Sequence, residues 1–318
     1  MALFLGIDGG GTKTAAVILK ADGKELGRGL GGPGNIATGS EPALAQSLGD
    51  AVGGACRAAG LSRQETRFAA VCAGVAGYSA AERREAFRRL LGVQVQADSY
   101  RVEPDYVIAY WGATCGEPGI IVIAGTGAIS YGRNARGETC REDGLGYLLG
   151  DRGSGFDLGL RALRYTLEQV EAGTPDRLAE AIMTHTGAVS HNAIVQWLYG
   201  NFSPARVAAL APVVGALAEA GDEPARRLVA TMAHQLRHAA RQVRHKLWLP
   251  RDSPVYLLGS LWEIGEFFRS EFADPRWLDP DGASDEPDPL NGGRFLIEPP
   301  RHDAAYGAAL LARETLTP

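Results

Sequence analysis

The sequence predicts an α/β protein made of two similar domains. A strand, a glycine turn and two further strands begin near residue 2, and the same pattern begins again near residue 119. Alternating strands and helices follow the first set, which is the α/β pattern. The length of 318 residues, at roughly 150 residues per domain, also gives about two domains. We expect the two domains to face each other across a cleft, where small-molecule sites are common.

Composition narrows the class of function. Apolar residues make up 45% and charged residues 22% of the chain, which disfavours disordered, collagen-like and coiled-coil proteins. Glycine is in excess, at 42 of 318 residues or about 13% against a usual 7%, which indicates tight turns and close approach to a ligand. The net charge of -5 lacks the basic surplus of nucleic-acid binders. We therefore expect small-molecule partners and no nucleic acid.

The sequence also predicts a cytoplasmic location. The start MALFLGID lacks a basic segment and reaches Asp8 after seven residues, too early for a signal peptide. No apolar run approaches the roughly 18 residues of a membrane span. The four cysteines form no CxxC pair and are expected to be reduced thiols.

The elements follow from apolar periodicity and turn residues. In the first domain we predict strands at 2–7, 14–19, 25–30, 67–73 and, weakly, 93–97, with helices at 41–59, 80–91 and 104–114. In the second we predict strands at 119–124, 129–133, after the turn at 135–137, at 254–258 and at 294–297, with a polar surface loop at 274–293. Helices are predicted at 155–171, 176–185, 189–199, 204–219, 224–247 and 303–314.

The segment DGGGTKT (8–14) is the first candidate for phosphate binding. A Walker P-loop needs Gly-Lys-Ser/Thr before a helix, and a dinucleotide fingerprint needs GxGxxG before a helix. Here a strand follows, so both fail. A strand–strand turn remains, whose glycine backbone could wrap an anion while Asp8 offers a carboxylate to a divalent cation. The alternative is a plain hairpin turn.

A second glycine turn, Gly125-Thr126-Gly127, occupies the same place in the second set of strands. Two glycine turns in matched positions could hold a phosphate chain from both sides of a cleft. This pairing makes phosphate binding a sharper hypothesis than either turn alone.

Six segments together carry a resemblance to a known family. They are DGGGTKT (8–14), GPGN (32–35), AGTGAISYG (124–132), GLGYLLGDRGSGFDLG (144–159), LLGS (257–260) and GAALLA (307–312). Over almost the whole chain the sequence resembles the BadF/BadG/BcrA/BcrD ATPase family and, within it, the N-acetylglucosamine and glucosamine kinases. The resemblance implies an actin-like (ribonuclease H-like) fold with duplicated βββαβαβα cores. It implies a sugar and phosphate domain at 1–114 plus 303–318, and a nucleotide-binding domain with helical insertions at 115–302.

The resemblance also implies site residues. ATP would be bound by two turns and an adenosine loop, with Asp8 near Mg²⁺: Asp8, Gly9, Gly10, Gly11, Thr12, Lys13, Gly125, Thr126, Gly127, Gly259 and Ser260. The sugar would be bound by Asn35, Asp105, Thr126, Gly144, Leu145 and Asp151. Asp105 matches the catalytic aspartate, which would orient and deprotonate the attacking hydroxyl.

Several of these residues have simpler interpretations. Asp105 could be an aspartate favoured by a helix dipole, Asn35 an ordinary turn residue, and Asp151 a helix cap. The sequence departs from the family at Arg152, where an acidic residue is common, and at Leu145, where the acetylated-sugar kinases often have tryptophan. His234 and His238 are interpreted as part of a solvated basic face with Arg237, Arg241, Arg244 and His245 rather than as metal ligands.

The sequence thus predicts an ATP- and Mg²⁺-dependent kinase that phosphorylates N-acetylglucosamine or glucosamine, at the 6-hydroxyl, and the family implies a homodimer. The alternative is an ATPase that activates a radical dehydratase or reductase, which would need cysteine ligands for an iron–sulfur cluster. Thr126-Gly127-Ala128 departs from the glycine-glutamine-aspartate pattern which those activators resemble. A non-catalytic nucleotide or sugar sensor is a third alternative.

Overall fold

The computed structural model describes residues 2–78, 80–273 and 294–315. The chain divides into two compact units, unit 1 (Met1–Glu117 with Pro299–Pro318) and unit 2 (Pro118–Glu298). The loop predicted at 274–293 lies outside the described residues.

Unit 1 is a five-stranded mixed sheet with helices on its faces. Its elements are β1 (Leu3–Gly9), β2 (Thr14–Lys20), β3 (Glu25–Gly31), α1 (Glu41–Ala58), β4 (Arg67–Phe68), β5 (Ala70–Val75), α2 (Ala81–Gln94), β6 (Gln96–Ala97), β7 (Tyr100–Pro104), α3 (Asp105–Thr114) and, after unit 2, α11 (Ala304–Glu314). The strand order is β3-β2-β1-β5-β7. Strands β1, β5 and β7 are parallel to one another, so their carboxyl ends meet at one edge of the sheet.

Glycines allow α1 to lie directly on β3. Gly27, Gly29 and Gly31 alternate along the strand, so that all three point to the same face. A Cβ atom at these positions would lie 2.3, 2.1 and 2.0 Å from the nearest carbonyl oxygen of α1. Much of the glycine surplus therefore serves helix-to-strand contact, in addition to the turns that the composition predicted.

The same device attaches α11 to the centre of unit 1. A Cβ atom on Gly6 of β1 would lie 2.2 Å from the Ala305 oxygen and the Ala309 nitrogen of α11. On the other side, a Cβ atom on Gly307 would lie 2.2 Å from the Gly112 nitrogen and the Ile108 oxygen of α3. The C-terminal helix is thus packed between β1 and α3 with backbone against backbone.

Unit 2 repeats the sheet of unit 1 and adds helices. Its elements are β8 (Gly119–Ala124), β9 (Ala128–Arg133), β10 (Thr139–Asp143), α4 (Gly155–Glu171), α5 (Arg177–Thr186), α6 (His191–Gly200), α7 (Pro204–Ala208), α8 (Ala211–Glu219), α9 (Glu223–Lys246), β11 (Pro254–Leu258), a 3₁₀ turn (Ser260–Glu263), α10 (Glu266–Ala273) and β12 (Leu296–Glu298). The strand order β10-β9-β8-β11-β12 matches that of unit 1 position by position. Among the described residues, every helix falls short of the length and apolarity that crossing a bilayer takes.

Two predicted elements are wrong. The helix predicted at 204–219 is two helices, α7 and α8, because Pro212 has no N–H to donate to the carbonyl four residues earlier. The strand predicted at 93–97 is reduced to β6, which pairs only with β4. The fifth strand of the main sheet is instead β7, a short strand that ends at a proline and whose Arg101 and Glu103 pair with each other.

The solvated basic face predicted on α9 is also wrong at two positions. Arg237 and Arg244 lie on a buried face of α9, where only 3% and 8% of their surface is exposed. Their guanidinium groups lie 4.9 and 4.5 Å from the centre of the Phe295 ring, and Arg237 donates to the Phe272 carbonyl at 2.6 Å. Both arginines are therefore part of the packing of α9 against α10 and β12.

We expect Gly307→Ala to destabilise the protein. The new methyl group would meet the backbone of α3 at 2.2 Å, so α11 must shift, and such overpacking costs about 2 kcal/mol or more. At this chain length, with an unfolding entropy of about 2.1 cal/mol/K per residue, the melting temperature should fall by about 3 °C or more, as measured by circular dichroism.

Gly92→Ala is the matched control. Gly92 lies inside α2, and a methyl group on its Cα would have no neighbouring atom within 4 Å, so alanine should raise stability by up to about 1 kcal/mol through helix propensity. Equal effects of the two substitutions would contradict the close packing of α11.

Candidate active site

The carboxyl-end edge of the unit 1 sheet collects the polar residues predicted for chemistry. Asp8 is one residue before the end of β1, and Asp105 directly follows β7. Between them lies the end of β5, where Ala76 donates its N–H to Gly9 O at 3.1 Å and accepts from the N–H of Ile36 at 3.2 Å. The parallel pairing thus brings the ends of three distant segments of sequence to one edge.

The first glycine turn is a tight connection between β1 and β2. The Gly10 N–H donates to the Lys13 carbonyl at 3.0 Å, and the Gly34 N–H donates to the Gly10 carbonyl at 2.9 Å. Gly11, Thr12 and Lys13 are exposed. A Cβ atom on Gly11 would meet no protein atom within 4 Å, so packing within the fold does not require glycine there. Because glycine has no side chain, the backbone at this position is open to a ligand.

Asp8 lies in an unfavourable electrostatic environment. The pKa of its carboxyl is raised to about 6, chiefly by burial and also by the negative charges of Asp105 and Asp303, while the Lys13 ammonium partly offsets these effects. The Asp8 carboxyl thus lies within electrostatic reach of the carboxylates of Asp105 and Asp303, and the Lys13 ammonium offsets their effect only in part. Such a site favours a cation, because the cation would relieve the repulsion between the carboxylates.

Asp303 is a participant that the sequence analysis missed. Its side chain caps α11 by accepting from the Tyr306 N–H at 2.9 Å and pairs with Arg28. The sequence shows a cap residue before a helix, but no signal connects it with Asp8, about 295 positions earlier in the numbering. Only the packing of α11 on β1 brings the two together.

Asp105 is the first residue of α3 and follows Pro104. Its carboxyl oxygen accepts from the Tyr106 N–H at 2.9 Å. Its surface is accessible, yet the surrounding protein desolvates the carboxyl and raises its pKa, while the backbone hydrogen bonds lower it in part. An accessible carboxylate with a raised pKa is suited to accept a proton from a hydroxyl group.

Asn35 is held beside the end of β5. Its side-chain oxygen accepts from the Ala37 N–H at 2.8 Å, and its carbonyl accepts from the Gly39 N–H at 2.9 Å. Gly77, with φ of +81°, passes so close that a Cβ atom there would lie 2.8 Å from the Asn35 side-chain oxygen. Among the described residues the amide nitrogen of Asn35 has no recorded acceptor, so it can donate to a ligand.

The second glycine turn joins β8 to β9 and is fixed by α4. Gly125 donates its N–H to the Gly127 carbonyl at 2.9 Å. The first N–H groups of α4, those of Gly155 and Phe156, donate to the Gly125 and Thr126 carbonyls at 2.8 and 3.3 Å. Thr126 is exposed, and a Cβ atom on Gly125 would meet no protein atom. The turn therefore presents open backbone, as the first turn does.

A cavity of about 460 Å³ adjoins the second turn, entirely within unit 2. It is lined mostly by small side chains: Gly125, Thr126, Gly155, Ala205, Ala208, Ala209, Ala211, Pro212, Ser260, Leu261, Glu263 and Ile264. Gly259, with φ of +97°, comes so close to β8 that a Cβ atom would lie 2.2 Å from the Ala124 oxygen. The volume is within the range of small-ligand sites, about 300–1,000 Å³.

Asp151 is positioned by a second buried carboxylate. Its backbone is left-handed, with φ of +55°, and its N–H donates to Asp143 at 2.7 Å. Burial raises the pKa of the Asp151 carboxyl and the Asp143 charge raises it further, while N–H groups of Ala128 and Gly146 lower it. The alternative that Asp151 caps a helix is wrong, because Ser154 caps α4 and accepts from the Asp157 N–H at 3.2 Å.

Asp143 itself was missed by the sequence analysis. Its carboxylate is only 4% exposed and pairs with Arg152 at 3.1 Å. Arg152 is the residue noted above as a departure from the acidic residue that is common in the family. Gly144 follows with φ of +70°, and Leu145 is 56% exposed. Asp143 thus anchors both ends of the segment that carries the predicted sugar residues of unit 2.

The described residues contain no group of three or more His, Cys, Asp or Glu side chains that could hold a metal ion. Mg²⁺ in nucleotide enzymes is usually bound by one or two carboxylates, water and phosphate oxygens. Asp8 therefore fits a cation that arrives with phosphate ligands of its own.

Comparison with known proteins identifies the family. The model of the BadF/BadG/BcrA/BcrD ATPase family matches residues 5–270.

The chain belongs to the BadF/BadG/BcrA/BcrD ATPase family.

Within that family, its relatives include amino-sugar kinases. The N-acetylmuramic acid/N-acetylglucosamine kinase of Clostridium acetobutylicum is 28% identical over 98% of this chain and 99% of its own length. The glucosamine kinase of Vibrio cholerae is 33% identical over 64% of this chain and 70% of its own length.

A solved structure supports the fold assignment. The crystal structure of a protein assigned as an N-acetylglucosamine kinase from Chromobacterium violaceum is 26% identical and covers 98% of this chain and 99% of its own, with a TM-score of 0.75. The predicted actin-like α/β fold class is confirmed. The roles of the individual site residues stay predictions, although each unit brings its own set together.

We expect Asp8→Asn to stabilise the unliganded protein at neutral pH. Because the pKa of Asp8 is raised from 3.8 to about 6, folding favours its protonated form, and stability falls as the pH rises from the unfolded pKa to the folded one. Above about pH 6 the loss reaches about 3 kcal/mol. The amide variant should therefore melt several degrees above wild type at pH 7.5 and close to it at pH 4, as measured by scanning calorimetry.

Asp98→Asn is the control for the loss of one negative charge in unit 1. Asp98 is exposed and pairs only with Arg67 at the surface, so its loss should cost no more than about 1 kcal/mol at either pH. A gain for Asp8→Asn that is the same at both pH values would contradict the raised pKa.

Proposed function

We propose that this protein is an ATP-dependent kinase that transfers a phosphoryl group to a hydroxyl of N-acetylglucosamine or glucosamine. One observation carries the proposal. Besides an open glycine turn in each unit, unit 1 holds Asn35 and Asp105 and unit 2 holds Asp151 by hydrogen bonds, and each of these side chains keeps polar atoms for a ligand. Nucleotide hydrolysis alone does not need such a set, whereas recognition of a sugar with several hydroxyl groups does.

The nucleotide is assigned to the glycine turns and the cavity. The cavity beside Ser260 would accommodate a group of nucleoside size, and the open space over Gly125 would let a phosphate chain approach the turn closely. In the first turn, Gly9, Gly10, Gly11, Thr12 and Lys13 are assigned to the terminal phosphates. Bound Mg²⁺ would neutralise charge on the phosphates, and Asp8 is the residue that would face it.

The sugar is assigned to three polar residues and their neighbours. The amide of Asn35 and the carboxylate of Asp151 would hydrogen-bond sugar hydroxyls, and Thr126, Gly144 and Leu145 would line the remaining ring. Asp105 would orient the attacking hydroxyl and accept its proton, and its raised pKa makes it a stronger base than an ordinary aspartate. We assign the reaction to the 6-hydroxyl.

The remaining assignments follow the same family. Unit 1 would serve as the sugar and phosphate domain and unit 2 as the nucleotide domain. We also propose that the protein acts in the cytoplasm as a homodimer.

Release of ADP from ATP and Mg²⁺ tests the proposal. The panel contains N-acetylglucosamine, glucosamine, N-acetylmannosamine, N-acetylmuramic acid, glucose and no sugar. We expect a large increase with N-acetylglucosamine or glucosamine, and a product that is phosphorylated at the 6-hydroxyl by NMR. ADP release that is indifferent to sugar would overturn the kinase assignment in favour of an ATPase activator.

We expect Asp105→Asn to reduce turnover by about 10²–10⁴-fold, the usual contribution of a general base. Sugar affinity, measured by calorimetry with a non-hydrolysable ATP analogue, should change little because the amide keeps the size of the side chain and one oxygen that can accept from the sugar hydroxyl. Asp98→Asn is again the control and should keep full turnover. A loss of less than tenfold in Asp105→Asn would show that Asp105 is not the base.

A further inference from the structure

A second cavity of unit 2 lies next to the segment that carries Asp151, and no residue of the proposed catalytic site lines it. It measures about 360 Å³ and is lined by Arg152, Thr231, His234, Gln235 and His238. Three of these five side chains can carry positive charge and none carries negative charge. The cavity therefore brings together three side chains that can be cationic, in a chain whose net charge is negative.

Arg152 is held over α9 by its neighbours in sequence. Gly153, with φ of +81°, lies so close to the helix that a Cβ atom would be 2.7 Å from Leu236 and 2.8 Å from the Met232 carbonyl. The Arg152 N–H and its side-chain Nε both donate to Asp143 at 3.1 Å. This leaves the two terminal nitrogens of the guanidinium without a recorded acceptor in the part of the chain that the structure describes.

The wall opposite Arg152 is one face of α9. Thr231, His234, Gln235 and His238 are spaced three or four residues apart, so they lie on the same side of the helix. His238 is exposed. The side-chain oxygen of Gln235 is buried without a hydrogen-bond partner, so this amide is available to a ligand in either of its two orientations.

The character of the walls selects the kind of ligand. The accessible wall of the cavity is mostly apolar, which suits a small organic skeleton. The free guanidinium nitrogens form a planar pair of donors, which matches a carboxylate or a phosphate. Asp143 neutralises part of the Arg152 charge from the opposite side, so His238 has to supply further attraction.

We infer that the cavity between Arg152 and α9 is a binding site for the carboxylate or phosphate of a small organic ligand. The anionic group would sit against the guanidinium of Arg152 and the imidazole of His238, and the Gln235 amide and Thr231 hydroxyl would hydrogen-bond its polar substituents. Two sources share this chemistry. One is an acidic substituent of an amino-sugar substrate held by the adjacent Asp151, and the other is a separate organic anion bound independently of the reaction.

Calorimetric titration tests whether the cavity binds a separate organic anion. The titration of 3-phosphoglycerate is made with the proposed active site filled by a non-hydrolysable ATP analogue, Mg²⁺ and N-acetylglucosamine. Saturable binding of one molecule per chain is expected, weakened about tenfold or more in Arg152→Gln and several-fold in His238→Gln. Arg164→Gln, which removes an exposed arginine of α4 outside the cavity, should bind like wild type.

The possibility that the anionic group belongs to the sugar substrate is tested with N-acetylmuramic acid, an amino sugar with a carboxylate, by kinetics and by binding. Arg152→Gln should raise its KM, or its Kd by calorimetry, at least tenfold more than it raises the value for N-acetylglucosamine. The Kd keeps this test valid even if the protein proves not to be a kinase, since sugar affinity is then measured without turnover. His238→Gln serves as a second variant if Arg152→Gln fails to fold.

The two arms have distinct outcomes. Anion binding that depends on Arg152 with the active site filled supports an independent ligand, and a selective loss of N-acetylmuramic acid supports an acidic substrate. The inference is overturned if neither anion binds the wild type, or if Arg152→Gln and His238→Gln bind both as tightly as wild type and Arg164→Gln do.

Discussion

The architecture depends on contact between backbone and backbone, which glycine alone permits. In unit 1, glycines of β3 carry α1 and glycines of β1 and α3 enclose α11, each at a distance where a single methyl group would collide with a carbonyl or amide. The sheet edge that holds Asp8 and Asp105 depends on these contacts, because α11 brings Asp303 to Asp8. In unit 2, close approach at Gly153 and Gly259 similarly sets the position of Arg152 and of the cavity wall. The same close contacts therefore stabilise the packing and position the residues of the site.

The carboxyl groups that this scaffold positions share one electrostatic property. The carboxyl groups of Asp8, Asp105 and Asp151 all have a raised pKa, in each case chiefly because of burial. A fold gains no stability by desolvating carboxyl groups in this way, which indicates that the arrangement serves ligands. A metal–phosphate complex relieves the repulsion around Asp8, while the readiness of Asp105 to take up a proton suits it to assist a hydroxyl nucleophile.

Local features were predictable from the sequence, and features made by distant contacts were not. The glycine turns, the strands β1 and β8 and the long helices have strong local signals in periodicity, caps and turn residues. Strand β7 was missed although Arg101 and Glu103 alternate with Tyr100 and Val102, because a run of five residues that ends at a proline gives only a weak strand signal. The burial of Arg237 and Arg244 against Phe295, and the approach of Asp303 to Asp8, join segments that the sequence separates widely. The residues of the site could be proposed from motifs, but their electrostatic environment required the three-dimensional structure.

The return of the last helix to unit 1 has a consequence for synthesis. Unit 2 (Pro118–Glu298) is continuous in sequence, whereas unit 1 draws its central helix from the final residues of the chain. On the ribosome, where a chain emerges at about 5–20 residues per second, β1 is made before the whole of unit 2 and waits for α11 until unit 2 has been synthesised. The apolar face of β1 and β2 that α11 covers is exposed throughout that interval. The half of the protein that is synthesised first is thus the half that matures last, and chaperones have the longest access to it.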